Sequence, residues 1–249
     1  MNKYILVTGA TRGLGLEITR TLLEDGYYVV GTGREITEPL IELKNKFVDR
    51  LFFEPLDLNY PDKIKDFCKD IHQRYGKEES GSSGRFYGLI NNAAVGNDGV
   101  LGTMHERDIA ELIRVNVESP ILLTKYMSRK MLLNGTGRVL NISSIIASTG
   151  FSGLSVYGAT KAALVGFTKS LSREIGKGGI TVNCIAPGFM ATDMTQSLHG
   201  EKLETIMRRS PMNQLASTSD ISRMVAFLMS EEAKSITGTT LTIDAGSTA

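Results

Sequence analysis

Short β-branched runs alternate with longer segments of helical period along almost the whole chain. Seven runs read as strands: residues 4–8, 27–31, 51–55, 87–91, 138–142, 181–185 and 240–243. Between the first two, Leu14, Ile18, Leu22 and Leu23 share one helical face, while Glu17, Arg20 and Glu24 take the other. Asp25-Gly26 then supplies a helix stop. Strands alternating with amphipathic helices predict an α/β fold, a doubly wound, parallel, seven-stranded sheet with helices on both faces. No repeat or linker interrupts the alternation, so one domain over residues 1–249 is expected. The polar stretch 77–85, rich in Gly and Ser, reads as a surface loop between a helix and the fourth strand.

Composition narrows the function classes. Lys plus Arg number 28 and Asp plus Glu 27, a net charge of +1, which lacks the cationic footprint that nucleic acids or anionic membranes attract. No segment approaches the roughly 18 apolar residues of a membrane helix, and the opening apolar run is too short for a signal peptide. Cys68 and Cys184 match no metal or redox spacing. His72, His105 and His199 stand outside every motif, so no metal is expected. The expectation is a cytoplasmic protein with no nucleic-acid or membrane partner.

The first strand ends in Thr8-Gly9-Ala10-Thr11-Arg12-Gly13-Leu14-Gly15, and a helix follows at once. Glycines there let the backbone turn tightly against a pyrophosphate, and the helix N-terminus offers it unpaired N–H groups and partial positive charge. The spacing G-x-x-x-G-x-G differs from the usual dinucleotide fingerprint, but its place between strand and amphipathic helix predicts a Rossmann-type nucleotide site. An acidic residue holding the adenosine ribose would stand after the second strand. The chain has Thr32-Gly33-Arg34 there, with Glu35 only afterwards. Arg34 and Arg12 could meet on a 2′-phosphate through charge-assisted bonds of about 1.5–3 kcal/mol each, so NADPH is predicted over NADH.

The remaining motifs carry a family resemblance. Asn91-Asn92-Ala93-Ala94 after the fourth strand, Asn116 within Val115-Asn116-Val117, Ser144, Tyr157 thirteen residues later, Lys161 in Y-x-x-x-K and Pro187-Gly188 stand in the order and spacing of short-chain dehydrogenases/reductases. The resemblance runs from residue 4 to the end of the chain. It implies a catalytic group of Asn116, Ser144, Tyr157 and Lys161, with Ser144 rather than Ser143 chosen by the thirteen-residue spacing. Physically, Tyr157 and Lys161 share a helical face, and a nearby ammonium would pull the phenol down from its ordinary pKa toward the working range. Ser144 would hydrogen-bond the substrate carbonyl oxygen. The resemblance further implies that Lys161 holds the nicotinamide ribose and that Asn116 positions a water in the proton relay. The expected cofactor contacts are Gly9, Thr11, Arg12, Gly13, Leu14, Gly15, Arg34, Asp57, Leu58, Asn92, Ala93, Ala94, Tyr157, Lys161, Pro187, Gly188, Met190 and Thr192.

Within the family, residues 180–195 and 236–246 resemble 3-oxoacyl-[acyl-carrier-protein] reductases. That implies an NADPH-dependent carbonyl reductase acting on 3-oxoacyl thioesters, with an acyl-carrier protein as a candidate partner and a substrate lid over about residues 191–212. Basic residues common in those enzymes are replaced by Gly135 and Gly178, although Arg129, Lys130 and Lys177 are close in sequence. A dehydrogenase of a sugar, polyol or other small ketone is an alternative, and a non-catalytic NADPH-binding sensor is a second. Ala159, Ala162, Ala163, Leu164, Val165, Gly166, Phe167 and Leu171 cover most of the helix after Tyr157, more apolar surface than one sheet can bury. A homotetramer, the usual assembly of the family, is expected.

Overall fold

The computed structural model describes residues 2–76, 84–190, 205 and 207–249. Seven parallel strands run β1 (Asn2–Thr8), β2 (Tyr28–Gly33), β3 (Leu51–Pro55), β4 (Gly84–Asn91), β5 (Gly137–Ile142), β6 (Ile180–Pro187) and β7 (Thr240–Ile243). Their spatial order is β3-β2-β1-β4-β5-β6-β7. The chain builds outward from β1 in one direction, then returns to the other side of β1 with β4. The crevice for a dinucleotide therefore opens at the carboxyl ends of β1 and β4, where the order reverses.

The helices are α1 (Gly13–Glu24), α2 (Glu38–Lys46), α3 (Ile64–Tyr75), α4 (Glu106–Ile113), α5 (Ser119–Leu133), the single turn α6 (Ile146–Thr149), α7 (Ser155–Ile175) and α8 (Thr218–Met229). Alternation along β1 sorts the two cores. Ile5 and Val7 point toward α1 and α8 with Ile18, Leu22 and Val225, and Leu6 points toward α3, α5 and α7 with Ile71, Met127 and Leu171. All four predicted core positions of α1 are buried, Ile18, Leu22 and Leu23 completely so. At the far end Gly26 adopts φ +88°, which lets the chain reverse after Asp25.

The strand boundaries shift from the sequence expectation at both ends. β2 begins at Tyr28 rather than 27 and continues to Gly33, and β6 extends through Pro187, whose carbonyl accepts from Ile145 N–H at 3.0 Å. These extensions carry the strand ends up to the site. Thr192, His199, residues 191–204 and 206 of the predicted lid and residues 77–83 of the polar loop lie outside the described residues.

Candidate active site

The β1–α1 turn is shaped by steric need. Gly9 and Gly13 have φ of +66° and +53°, which L side chains rarely adopt. A Cβ on Gly15 would sit 1.9 Å from the Gly9 carbonyl oxygen, so the turn closes only over a glycine. Arg12 at the helix N-cap is extended and its side chain caps nothing, and the first turn holds no acidic residue. The donors of the first turn are thus left for an anion, and the dipole favours one. This arrangement fits a pyrophosphate.

Across the crevice, Asn92 fastens β4 to this turn. Its Nδ2 donates to the carbonyls of Thr8 at 2.9 Å and Gly9 at 3.3 Å. Thr8 Oγ1 answers by accepting the N–H groups of Asn92 and Ala93, each at 3.0 Å. On the outer side, Ala10 N–H donates to Thr32 O at 3.1 Å, and Thr37 Oγ1 donates to Thr11 O at 2.5 Å. Exposed Arg12 and Arg34 therefore rise from two turns that are bonded to each other. Asp57 accepts the N–H of Asn59 at 2.9 Å, while buried Leu58 is held by Ser119 Oγ donating to its carbonyl at 2.7 Å.

The four catalytic candidates converge from separate elements. Asn116 lies in a five-residue π-turn, Arg114–Glu118, that joins α4 to α5, a distortion that recurs at functional sites. Its Oδ1 accepts from Val95 N–H and its Nδ2 donates to Val95 O, both at 2.9 Å, with Thr160 Oγ1 a further acceptor at 3.2 Å. Ser144 follows β5, where its Oγ accepts from Ile146 N–H at 3.2 Å and lies near enough to the Tyr157 phenol to lower its pKa. Tyr157 and Lys161 rise one turn apart on α7. Lys161 is 3% exposed, its Nζ donates to Ile142 O at 3.0 Å, and it lies 5.6 Å from the centre of the Tyr157 ring. Ser143 Oγ donates to the Lys161 carbonyl at 2.8 Å, so the end of β5 holds both ends of that residue.

The electrostatics differ from the sequence expectation. Burial pushes Tyr157 up to about 12, against the lowering effect of the Ser144 hydroxyl and with a further rise from the Asp98 carboxylate. Burial also brings Lys161 down to about 8. The expected pull of the ammonium is not among the effects that set the phenol, whose burial dominates. Tyr157 is consequently a protonated donor near neutrality.

On the third side, Gly188 N–H donates to Ile243 O at 2.9 Å, and a Cβ on Gly188 would stand 2.7 Å from Asp244 Cβ. Half-buried Met190 packs against the α1–α8 core. Of the predicted residues, Gly9 to Gly15, Asn92 to Ala94 and Pro187 to Met190 line up along the carboxyl ends of β1, β4 and β6. Sequence reading gave no role to Thr8 or Asp98, and set Ser143 aside as the rival of Ser144. Thr8 and Ser143 look like ordinary strand-end residues, and their bonds span 84 and 18 positions with no local signal. Asp98 sits in a loop with no periodicity at all.

A family model described as Enoyl-(Acyl carrier protein) reductase matches residues 9–248. The 3-oxoacyl-[acyl-carrier-protein] reductase FabG of Haemophilus influenzae is 38% identical over 98% of this chain and 97% of its own length. The chain belongs to the short-chain dehydrogenase/reductase family. A second member, the FabG of Staphylococcus aureus strain Mu50, is 34% identical over 99% of this chain and 98% of its own. Among solved family structures, "ElxO with NADP Bound" superposes with a TM-score of 0.87 at 29% identity, covering 99% of each chain.

Proposed function

We infer that this chain reduces the ketone of 3-oxoacyl thioesters to a 3-hydroxyacyl group with NADPH. The observation that carries the reading is the Ser144–Tyr157 hydroxyl pair over a buried Lys161, beside a turn built for pyrophosphate, in a chain similar over its length to 3-oxoacyl reductases. When bound, the nicotinamide supplies the hydride. The β1–α1 turn would hold the pyrophosphate, Arg12 and Arg34 the 2′-phosphate, and Lys161 the nicotinamide ribose. Asp57 and Leu58 would border the adenine end, and Asn92 to Ala94 with Pro187 to Met190 the rest.

Ser144 orients the carbonyl oxygen, and Tyr157 donates its phenolic proton to that oxygen as negative charge develops there. A phenol near 12 is suited to this direction, because it stays protonated at neutral pH. The resulting phenolate is stabilised by the Lys161 ammonium, present below about 8. Asn116, tied to Val95 and Thr160, would help return a proton toward Lys161, the role the family resemblance gives it.

The assembly follows from the outer face of α7. Ala159, Ala162, Ala163 and Gly166 are exposed on it, and an apolar groove of about 400 Å³ runs between Leu101, Ile113, Val117, Val156, Ala159 and Ala163. A homotetramer in the cytoplasm is the proposed state, with this groove covered by a neighbouring subunit. Arg129 and Lys130 stand near the C-terminal end of α5, and Lys177 lies just beyond the C-terminal end of α7. Twenty residues of helical rise put Lys177 about 30 Å from Tyr157, so within one chain these cations do not face the site. The thioester is therefore the proposed substrate, and docking of an acidic carrier at these cations is a separate question of assembly.

The test is NADPH oxidation followed at 340 nm with an acetoacetyl thioester, beside NADH and beside a crotonyl thioester and sugar ketones. Fast NADPH-linked reduction of the 3-oxo thioester alone is expected. The Tyr157→Phe variant should lose about 10²–10⁴ in kcat while binding NADPH normally. Full activity in that variant would refute the mechanism, and reduction of the sugar ketones alone would move the chain to another substrate class.

A further inference from the structure

The loop after β4 forms one border of the space in front of Tyr157. Asn116 grips it at Val95 by the paired 2.9 Å bonds, and four residues on, Gly99 N–H donates to Gly153 O at 2.9 Å. Asp98 is thereby held next to the strap that leads into α7. Its carboxylate is close enough to Tyr157 to raise the phenol, although Asp98 itself is exposed. Among the described residues it has no cationic partner. From the same strap, the Phe151 ring reaches across to Phe189 after the Pro187-Gly188 turn, with centroids 6.0 Å apart and planes at 64°. Phe151 is still 45% exposed, so part of its face is open to a ligand. The approach to the hydroxyl pair thus has on one border a negative charge that is unpaired among the described residues, and an aromatic wall on another.

We propose that Asp98 makes this mouth charge-selective, so that neutral 3-oxoacyl groups lie along Phe151 and Phe189 while 3-oxo compounds bearing a carboxylate are turned away. The inference deepens the 3-oxoacyl reductase reading and rests on it for the reacting ketone. A like charge across a partly wet mouth several ångströms wide should discriminate by about fivefold, and salt should screen it.

Acetoacetate and ethyl acetoacetate share one ketone and differ by one charge, so they are the probes. kcat/KM for both, with NADPH, is measured for the native protein, Asp98→Asn and Asp98→Glu at low and high ionic strength. The ester-to-acid ratio should fall about fivefold in Asp98→Asn through better use of the acid, and Asp98→Glu should keep the native ratio. Raising the salt should erode the native ratio and leave that of Asp98→Asn unchanged. An unchanged ratio in Asp98→Asn, or a native ratio indifferent to salt, overturns the proposal. The same pair is also titrated against the fluorescence of the NADPH-bound protein, which needs no turnover. If neither compound is reduced, the reductase reading fails; the charge selection then stands or falls on whether Asp98→Asn alone gains affinity for acetoacetate.

Discussion

Lys161 shows how far a single residue can be held from its preferred state. Its ammonium is fully enclosed and has one carbonyl acceptor, that of Ile142. Burial lowers its pKa from 10.5 to about 8. Between those values the unfolded chain binds a proton that the folded one does not, so stability rises with pH through this window and is lowest below it. The depression corresponds to roughly 3 kcal/mol of net destabilisation at pH 7. Lys161→Met should be inactive yet at least as stable as the native protein at pH 7. Urea melts of the two should converge toward the native protein by about 2 kcal/mol on going to pH 10, since only the native chain escapes the charged form. A stability difference independent of pH would show that the buried ammonium is not the source. The rate should respond in the opposite sense: reduction should decline as pH rises through about 8, where the charge that steadies the Tyr157 phenolate is lost.

At the scale of elements, the β1–α1 turn is the most constrained part of the molecule. Placing a methyl group at Gly15 puts it into the Gly9 carbonyl at 1.9 Å and against Asn92 Nδ2 at 2.6 Å, so the turn must open and β4 must shift. Gly15→Ala should therefore weaken NADPH binding by at least about tenfold in a fluorescence titration and lower stability by about 1–3 kcal/mol. Unchanged NADPH affinity would remove this turn from the cofactor site. This element was legible in the sequence because its glycines are needed locally, as were the seven strands and the amphipathic face of Leu14, Ile18, Leu22 and Leu23. The Y-x-x-x-K pair was legible for the same reason, since one helical turn fixes its geometry. What stayed hidden depends on distant packing. The π-turn at Asn116 has no signature in Val115-Asn116-Val117, and its purpose emerges only when Val95 and Thr160 arrive beside it. The rise of the Tyr157 pKa depends on how completely the surrounding elements exclude water, which spacing along α7 cannot report.

In the proposed assembly, α7 joins subunit contact to catalysis. One side of this helix packs on the sheet through Leu164, Leu171 and Ile175, and its first turns carry Tyr157 and Lys161 inward. The other side lines the open groove, where Val156 and Thr160 are immediate neighbours of the catalytic pair and face Leu101 and Ile113, which are 57% and 50% exposed. An isolated chain would leave this apolar surface in water and the start of α7 supported from one side only. Covering it with a second subunit removes the surface and braces the segment that aims the phenol. This contact alone requires at least a dimer, and for the proposed homotetramer light scattering should give a mass near four times the 27.1 kDa chain. Ala163→Glu, which buries a charge in the same groove, should shift the mass downward while the sheet stays folded by circular dichroism. If the brace matters, that variant should lose kcat more than NADPH affinity, because the dinucleotide turn lies on β1 and α1, away from the groove. A native protein that is monomeric at micromolar concentration and fully active would separate assembly from catalysis and leave α7 adequately supported by its own sheet.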